Sequence, residues 1–194
     1  MTLSLITGGA GFIGSNLADE LLKMGHKVTV VDNEYSDAHD QFYWNENTYN
    51  VNCDIRDYKT LKNCMHGVDY VFHLAAEARI QPAIKNPIEA VSINSLGTCT
   101  VLQCAREAGV KKVMYSSTSS GYGLNPHPNV ETQSDDCLNP YSVSKVNGEK
   151  LCKMYTDLYG LKTVIFRYFN VYGCLLYTSP SPRDLSTSRM PSSA

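Results

Sequence analysis

Two clusters in this sequence have the residue types and spacing to do chemistry, one at the start of the chain and one past its middle. The first is Thr7-Gly8-Gly9-Ala10-Gly11-Phe12-Ile13-Gly14, where Gly9, Gly11 and Gly14 fit the pattern G-x-G-x-x-G. In such a loop one glycine permits a sharp turn, another lets backbone approach a pyrophosphate, and the last lets a helix pack close on a strand. The free N–H groups and the positive dipole end of the following helix then favour an anion without any basic side chain. Asp32 follows Gly14 by eighteen residues, close to the ~20-residue spacing of a carboxylate that binds an adenosine ribose. A carboxylate there accepts the free 2′-hydroxyl of NAD and repels the 2′-phosphate of NADP. Without the glycines upstream, Asp32 would be an ordinary strand-end turn residue.

The second cluster is Asn139-Pro140-Tyr141-Ser142-Val143-Ser144-Lys145. Four residues separate Tyr141 from Lys145, so on a helix both project from one face. A phenol near a fixed ammonium is a candidate acid or base. Bringing its pKa of ~10 to neutrality takes about 3 units, or roughly 4 kcal/mol, and one cation supplies ~1 to 3 units by analogy with paired carboxylates. The lysine alone falls short, and the charge of an oxidised nicotinamide is the natural second contributor. The same pair on an exposed helix would do no chemistry, so its weight depends on its surroundings.

The elements that must position these clusters alternate. Leu3-Ser4-Leu5-Ile6 is a short apolar strand that ends at Thr7, and residues 12–24 suit a helix. Lys27 to Val31 is a β-branched strand that delivers Asp32, and residues 33–50 are polar and aromatic without a period. A weak strand at 48–53 leads to Asp54-Ile55 and a short helix at 58–65. There Asp54 either takes an adenine amino group, with Ile55 packed on the ring, or serves as a helix-capping turn residue. Asp69 to Leu74 is a third strand running into the small residues Ala75-Ala76, where a cofactor could lie against backbone; His73 within it suits a packed, hydrogen-bonded role. Apolar residues at helical intervals predict one long crossover helix over 87–109, ending at Gly109. A strand at 113–116 and a hydroxyl-rich loop, Ser117-Thr118-Ser119-Ser120-Gly121, follow, and Pro140 opens a helix that stops at Gly160. This alternation predicts a parallel α/β sheet with right-handed crossovers.

Composition narrows the classes. The chain has 194 residues, 43% of them hydrophobic and 19% charged, as in ordinary globular proteins. A formal net charge of -2 gives no electrostatic argument for nucleic acid or an anionic membrane. No apolar run is long enough to span a bilayer and none resembles a signal peptide, so the expected location is cytoplasmic. The seven cysteines include no C-x-x-C pair and are expected to be reduced, mostly buried thiols.

Taken together, the glycine loop, Asp32, Asp54-Ile55, His73-Leu74-Ala75-Ala76, the serine and threonine residues at 116–120, Tyr141 with Lys145, and Arg167-Tyr168-Phe169-Asn170 resemble the extended short-chain dehydrogenase/reductase family. Within it the likeness is to the NAD-dependent nucleotide-sugar epimerase/dehydratase group. The resemblance implies a Rossmann-type, doubly wound parallel sheet with the smaller carboxyl-terminal substrate domain largely absent. It implies NAD held by Gly8, Gly11, Phe12, Ile13, Gly14, Asp32, Asn33, Asp54, Ile55, Leu74, Ala75, Ala76, Asn94, Ser116, Tyr141, Lys145 and Phe169. Tyr141 would take a proton from a sugar hydroxyl, Lys145 would hold the nicotinamide ribose and depress the tyrosine pKa, and Thr118 would bridge substrate oxygen and tyrosine. Asn170 would lie near the substrate diphosphate. Dehydratases that resemble this chain carry an acid directly after the threonine, whereas here Ser119 and Ser120 stand. That favours 4-epimerisation of a UDP-sugar. Family members pair through two long helices, here 87–109 and 140–159, so a homodimer is expected of the full-length protein.

The resemblance runs from residue 2 to Gly173 and then stops. Residues 174–194 are rich in Ser and Pro without periodicity, which suits an unstructured tail. They also resemble a translated transposase-type sequencing adapter, so the expected division is a dinucleotide-binding domain at 1–173 and a tail of artefactual origin.

Overall fold

A computed structural model describes residues 1–36 and 41–171. The expectation for 174–194 lies outside the described residues. Among those described, six strands form one sheet: β1 (Leu3–Thr7), β2 (Lys27–Asp32), β3 (Tyr49–Asn52), β4 (Tyr70–His73), β5 (Lys112–Thr118) and β6 (Thr163–Tyr168). They are all parallel, in the order β3-β2-β1-β4-β5-β6. That is the doubly wound Rossmann order, which opens a crevice where the winding reverses, at the carboxyl ends of β1 and β4. Thr7 pairs there with Val31 on one side and His73 on the other.

Helix α1 (Phe12–Lys23) packs on one sheet face with Ile6, Val28 and Val30. The other face carries α2 (Tyr58–Cys64), α5 (Thr98–Glu107) and α6 (Pro140–Tyr159) over Val71, Val113 and Tyr115, all fully buried. Removing that apolar surface from water is the main favourable term holding helices to sheet. Helix α6 comes especially close to β5, because a Cβ on Gly148 would strike the Tyr115 hydroxyl. The Tyr115 O–H donates to the Lys145 carbonyl at 3.0 Å.

Local sequence signals explain the helix ends. Asn139 and Ser142 form a reciprocal capping box at the start of α6, with Pro140 in its first turn and Gly160 (φ 70°) ending it. At α2 the N-cap is Asp57, whose carboxylate accepts from the N–H groups of Lys59 and Thr60. The capping alternative for Asp54 is therefore overturned.

The single helix expected over 87–109 runs unbroken from Pro87 to Glu107, but as α4 (Pro87–Val91), a π-helical turn (Ser92–Gly97) and α5, and the π turn within it departs from that expectation. The wider turn buries Asn94 and sets Gly97 against Ile55, whose Cδ1 would lie 2.5 Å from any added Cβ. Two elements have no counterpart in the sequence reading. Helix α3 (Ile80–Lys85) holds a proline in its first turn, and β6 forms from the β-branched run Thr163-Val164-Ile165, a strand signal that sequence alone does offer.

Candidate active site

The glycine loop leaves β1 at Gly8, whose φ of 69° favours glycine, and an added Cβ would sit 2.6 Å from the Ala75 nitrogen. A Cβ on Gly14 would sit 2.6 Å from the Gly9 Cα, so the third glycine provides the close packing of helix on loop. Helix α1 begins at Gly11 with no side-chain cap and no acidic residue in its first turn, leaving its N–H groups for an anion. Phe12 and Ile13 form that first turn, and Leu74, Ala75 and Ala76 line the facing strand end, half-buried. The Ala75 N–H donates to the Thr7 hydroxyl at 3.3 Å, which ties the two walls together.

His73 is buried between the hydroxyls of Thr7 (2.7 Å) and Thr98 (2.9 Å). Burial, reinforced by the charge of Lys145, pushes its pKa down to about 3, so it stays neutral. It is a structural strut, as its strand position suggests.

The adenosine end gathers Asp32, Asn33 and Asp54. Asp32 is only 9% exposed; its carboxylate accepts from the Ala10 N–H at 3.1 Å and the Glu34 N–H at 2.8 Å, so it also braces the glycine loop. The Asn33 amide donates to Asp54 at 3.3 Å. Asp54 is forked by the Arg56 guanidinium at 2.6 and 3.0 Å, which holds its carboxyl below the usual range. The Ile55 side chain is turned into the core against Gly97, so it has a protein partner already.

At the other end of the crevice, Thr118 closes β5 and Tyr141 and Lys145 stand on one face of α6. The Thr118 hydroxyl accepts from the Ser120 N–H at 3.1 Å and lies close enough to the Tyr141 phenol to draw its pKa down. Burial pushes the Tyr141 phenol up, the Thr118 hydroxyl draws it back, and the charge of Glu77 pushes it up again. Lys145 is 4% exposed and its ammonium lies 4.6 Å from the centroid of the Tyr115 ring. Burial pushes its pKa down to about 8 against the smaller opposing effects of Cys152 and Glu149. The expectation that Lys145 depresses the tyrosine is corrected: the ammonium faces Tyr115, and Tyr141 stands above its ordinary value.

Asn94 is also corrected. It is 1% exposed and wired wholly inside the protein, accepting from the Glu77 N–H (2.9 Å) and donating to the Glu77 carbonyl (3.0 Å) and the Ser144 hydroxyl (2.9 Å). It fixes the loop after β4 to α6, rather than offering its amide to a cofactor. Ser116 lines a cavity of about 260 Å³ on the α1 side of the sheet, with Ile13, Leu74 and Tyr168. Phe169 is 63% exposed and stacks on Tyr122 at 6.2 Å, and Asn170 is exposed with no hydrogen bond to Thr118 or Tyr141 among the described residues.

Three participants carry no sequence motif. Glu77 is a carboxylate 8% exposed beside Tyr141, Arg56 ties Asp54 to Glu89 at 2.9 Å, and Glu149 repeats the Tyr141–Lys145 spacing one turn on. Only the last could have been found from spacing. The described residues contain no group of His, Cys, Asp or Glu able to hold a metal ion, six free cysteines, and no helix long and apolar enough to cross a membrane.

A parallel sheet with a glycine cradle at its switch point and a Thr, Tyr and Lys set at the facing strand and helix is the arrangement of the short-chain dehydrogenase/reductase fold. The chain matches the NAD dependent epimerase/dehydratase family over residues 4–191 and belongs to it. It is 42% identical over 180 residues to the UDP-N-acetyl-alpha-D-glucosaminuronate decarboxylase of Bacillus cytotoxicus, covering 87% of this chain and 54% of that one. Among solved structures it is similar to the UDP-glucose 4-epimerase of Thermotoga maritima with UDP-glucose (TM-score 0.83, 35% identity, 89% and 57% covered). It is also similar to the Thermus thermophilus UDP-glucose 4-epimerase complex with NAD (TM-score 0.79, 34% identity, 89% and 56% covered). The chain spans about half the length of the curated relatives it matches.

Proposed function

We propose that the protein of which this chain is part carries out NAD-dependent epimerisation at C4 of a UDP-sugar, through a 4-keto sugar. The observation that carries this is Thr118 placed near Tyr141 beside a buried Lys145, with Ser119 and Ser120 where a dehydrating acid would stand. The cradle that added Cβ atoms at Gly8 and Gly14 would fill, the uncapped start of α1 and the carboxylate of Asp32 fit NAD. Bound NAD supplies a reversible two-electron acceptor. Thr118 would hold the sugar hydroxyl against Tyr141, and Tyr141 in its ionised form, which the positive charge of bound NAD would favour, takes the hydroxyl proton as the C4–H bond breaks and gives it back on return. Lys145 supplies the fixed positive charge and a donor for the nicotinamide ribose. Asn170 and Phe169 belong to the substrate and nicotinamide ends.

The test is incubation with NAD and UDP-glucose, with products followed by NMR. Epimerisation gives UDP-galactose without net NADH, and Tyr141→Phe keeps NAD but loses turnover. Full activity in Tyr141→Phe would sink the tyrosine's role. A second reading, loss of carbon dioxide from a UDP-hexuronate through the same keto sugar, is favoured by the 42% identity to a decarboxylase; release of CO₂ from such a substrate decides for it. The apolar residues Ile88, Leu96 and Leu158, more than half exposed on α4, the π turn and α6, suit a face that pairs with a second copy.

A further inference from the structure

Glu149 lies on the Tyr141–Lys145 face of α6, one turn beyond the lysine. Its carboxylate is the meeting point of three elements. It accepts from the Ser117 hydroxyl on β5, the residue beside Thr118, and from the Arg167 guanidinium on β6 at 2.9 and 2.6 Å. Arg167 also reaches Asp135, in the loop before α6, at 2.8 Å, and its Cζ lies 4.8 Å from the Tyr122 ring centroid. The side chains of Arg167 and Glu149 are 14% and 12% exposed, so this pair is largely shielded from solvent and salt. A bidentate fork fixes direction as well as distance, unlike a single charge contact.

The pair therefore joins the strand end that carries Thr118, the helix that carries Tyr141 and Lys145, and the strand that leads into Phe169 and Asn170. No other ion pair among the described residues links α6 to the sheet; the remaining contact with Asp135 is Lys150 at 4.0 Å, on the exposed side. We propose that Glu149 and Arg167 are positioning residues for the reaction: their fork sets the register of α6 on β5 and so holds Tyr141 against Thr118. They touch neither sugar nor cofactor. This rests on the oxidoreductive reading of Tyr141, but its consequence for the tyrosine can be measured without turnover.

The experiment uses this chain labelled with 3-fluorotyrosine, with the Tyr141 ¹⁹F resonance assigned by its loss in Tyr141→Phe and titrated with pH. The charge that acts on Tyr141 is that of Glu77, from the loop after β4, and it stays in place. Two variants separate geometry from charge. Glu149→Gln removes a negative charge, which alone would move the Tyr141 midpoint down; moving Tyr141 away from the Thr118 hydroxyl, which draws its pKa down, moves it up. Arg167→Lys keeps the charge and loses the fork, so any upward shift is geometric. The expected result is an upward shift of about one pH unit in both, with no shift in Asp135→Asn. Where the wild-type chain turns over a UDP-sugar, kcat of Glu149→Gln falls ~10- to 100-fold while NAD affinity holds. An unchanged or lowered Tyr141 midpoint in Glu149→Gln, or an unchanged one in Arg167→Lys, overturns the proposal. Absence of turnover in the wild type would instead count against the epimerase reading and leave the titration intact.

Discussion

The two ends of the crevice are built on opposite terms. The loop from Gly8 to Gly14 works through missing side chains, since a Cβ at Gly8 or Gly14 would lie 2.6 Å from backbone atoms. The end formed by Thr118, Tyr141 and Lys145 works through polar side chains taken out of water, with Thr118 and Lys145 at 5% and 4% exposure. The first is a matter of steric fit and has no charge to tune. The second carries a desolvation cost that shows in a raised Tyr141 and a lowered Lys145. Binding and reactivity can therefore be damaged separately.

The broadest effect, on folding and on binding together, is expected from Gly14→Ala. The new methyl meets the Gly9 Cα and the Gly8 carbonyl, both backbone, so the loop must shift. A loss of about 3 kcal/mol in urea unfolding and ~100-fold in NAD affinity is expected, the latter followed through Trp44, the single tryptophan. An unaltered Kd would show that the cradle has slack and collapse the contrast.

Tyr141→Phe is the complementary break. Turnover should drop by roughly 100- to 10,000-fold, with Tm and NAD affinity near wild type, because the neighbouring Thr118 hydroxyl keeps its bond from Ser120.

Lys145→Met sharpens the electrostatic side. The ammonium has a pKa of about 8 in the fold and an ordinary value of 10.5. The unfolded chain therefore holds more protons between pH 8 and 10.5, and wild-type stability rises with pH across that window. Below pH 8 the full cost of burying the charge is present, about 3 kcal/mol. Lys145→Met should gain part of that at pH 7, gain nothing above pH 10.5, and lose activity. A flat difference in stability across pH would refute the cause assigned to the shift.

Asp32→Asn should have the smallest effect. It keeps an acceptor for the Ala10 N–H but removes the charge, costing about 1 kcal/mol in NAD affinity and narrowing the preference over NADP in parallel titrations.

The legible parts of this protein are those where one residue type satisfies a local rule. The G-x-G-x-x-G loop, the capping box at Asn139, the stop at Gly160 and the strands of the central sheet follow from backbone conformation and periodicity within a dozen residues. They place Asp32 at a strand end and Tyr141 and Lys145 on one helix face from the sequence alone. What misled was also local: the apolar rhythm over 87–109 cannot reveal an added residue in one turn, because the π turn at Ser92–Gly97 exists to seat Asn94 against Glu77 and Ser144 and Gly97 against Ile55.

By itself, then, the sequence determined the order of the elements from β1 to α6 apart from α3, the glycine cradle and the candidate acid–base pair, since each depends on neighbours along the chain. Only the tertiary structure decided where Lys145 points, that Asn94 serves the scaffold, that Glu77 faces Tyr141, and that Glu149 meets Arg167 and Ser117. Those are contacts between residues seventeen or more apart in sequence, or matters of desolvation, and neither burial nor long-range partnership is written in local spacing.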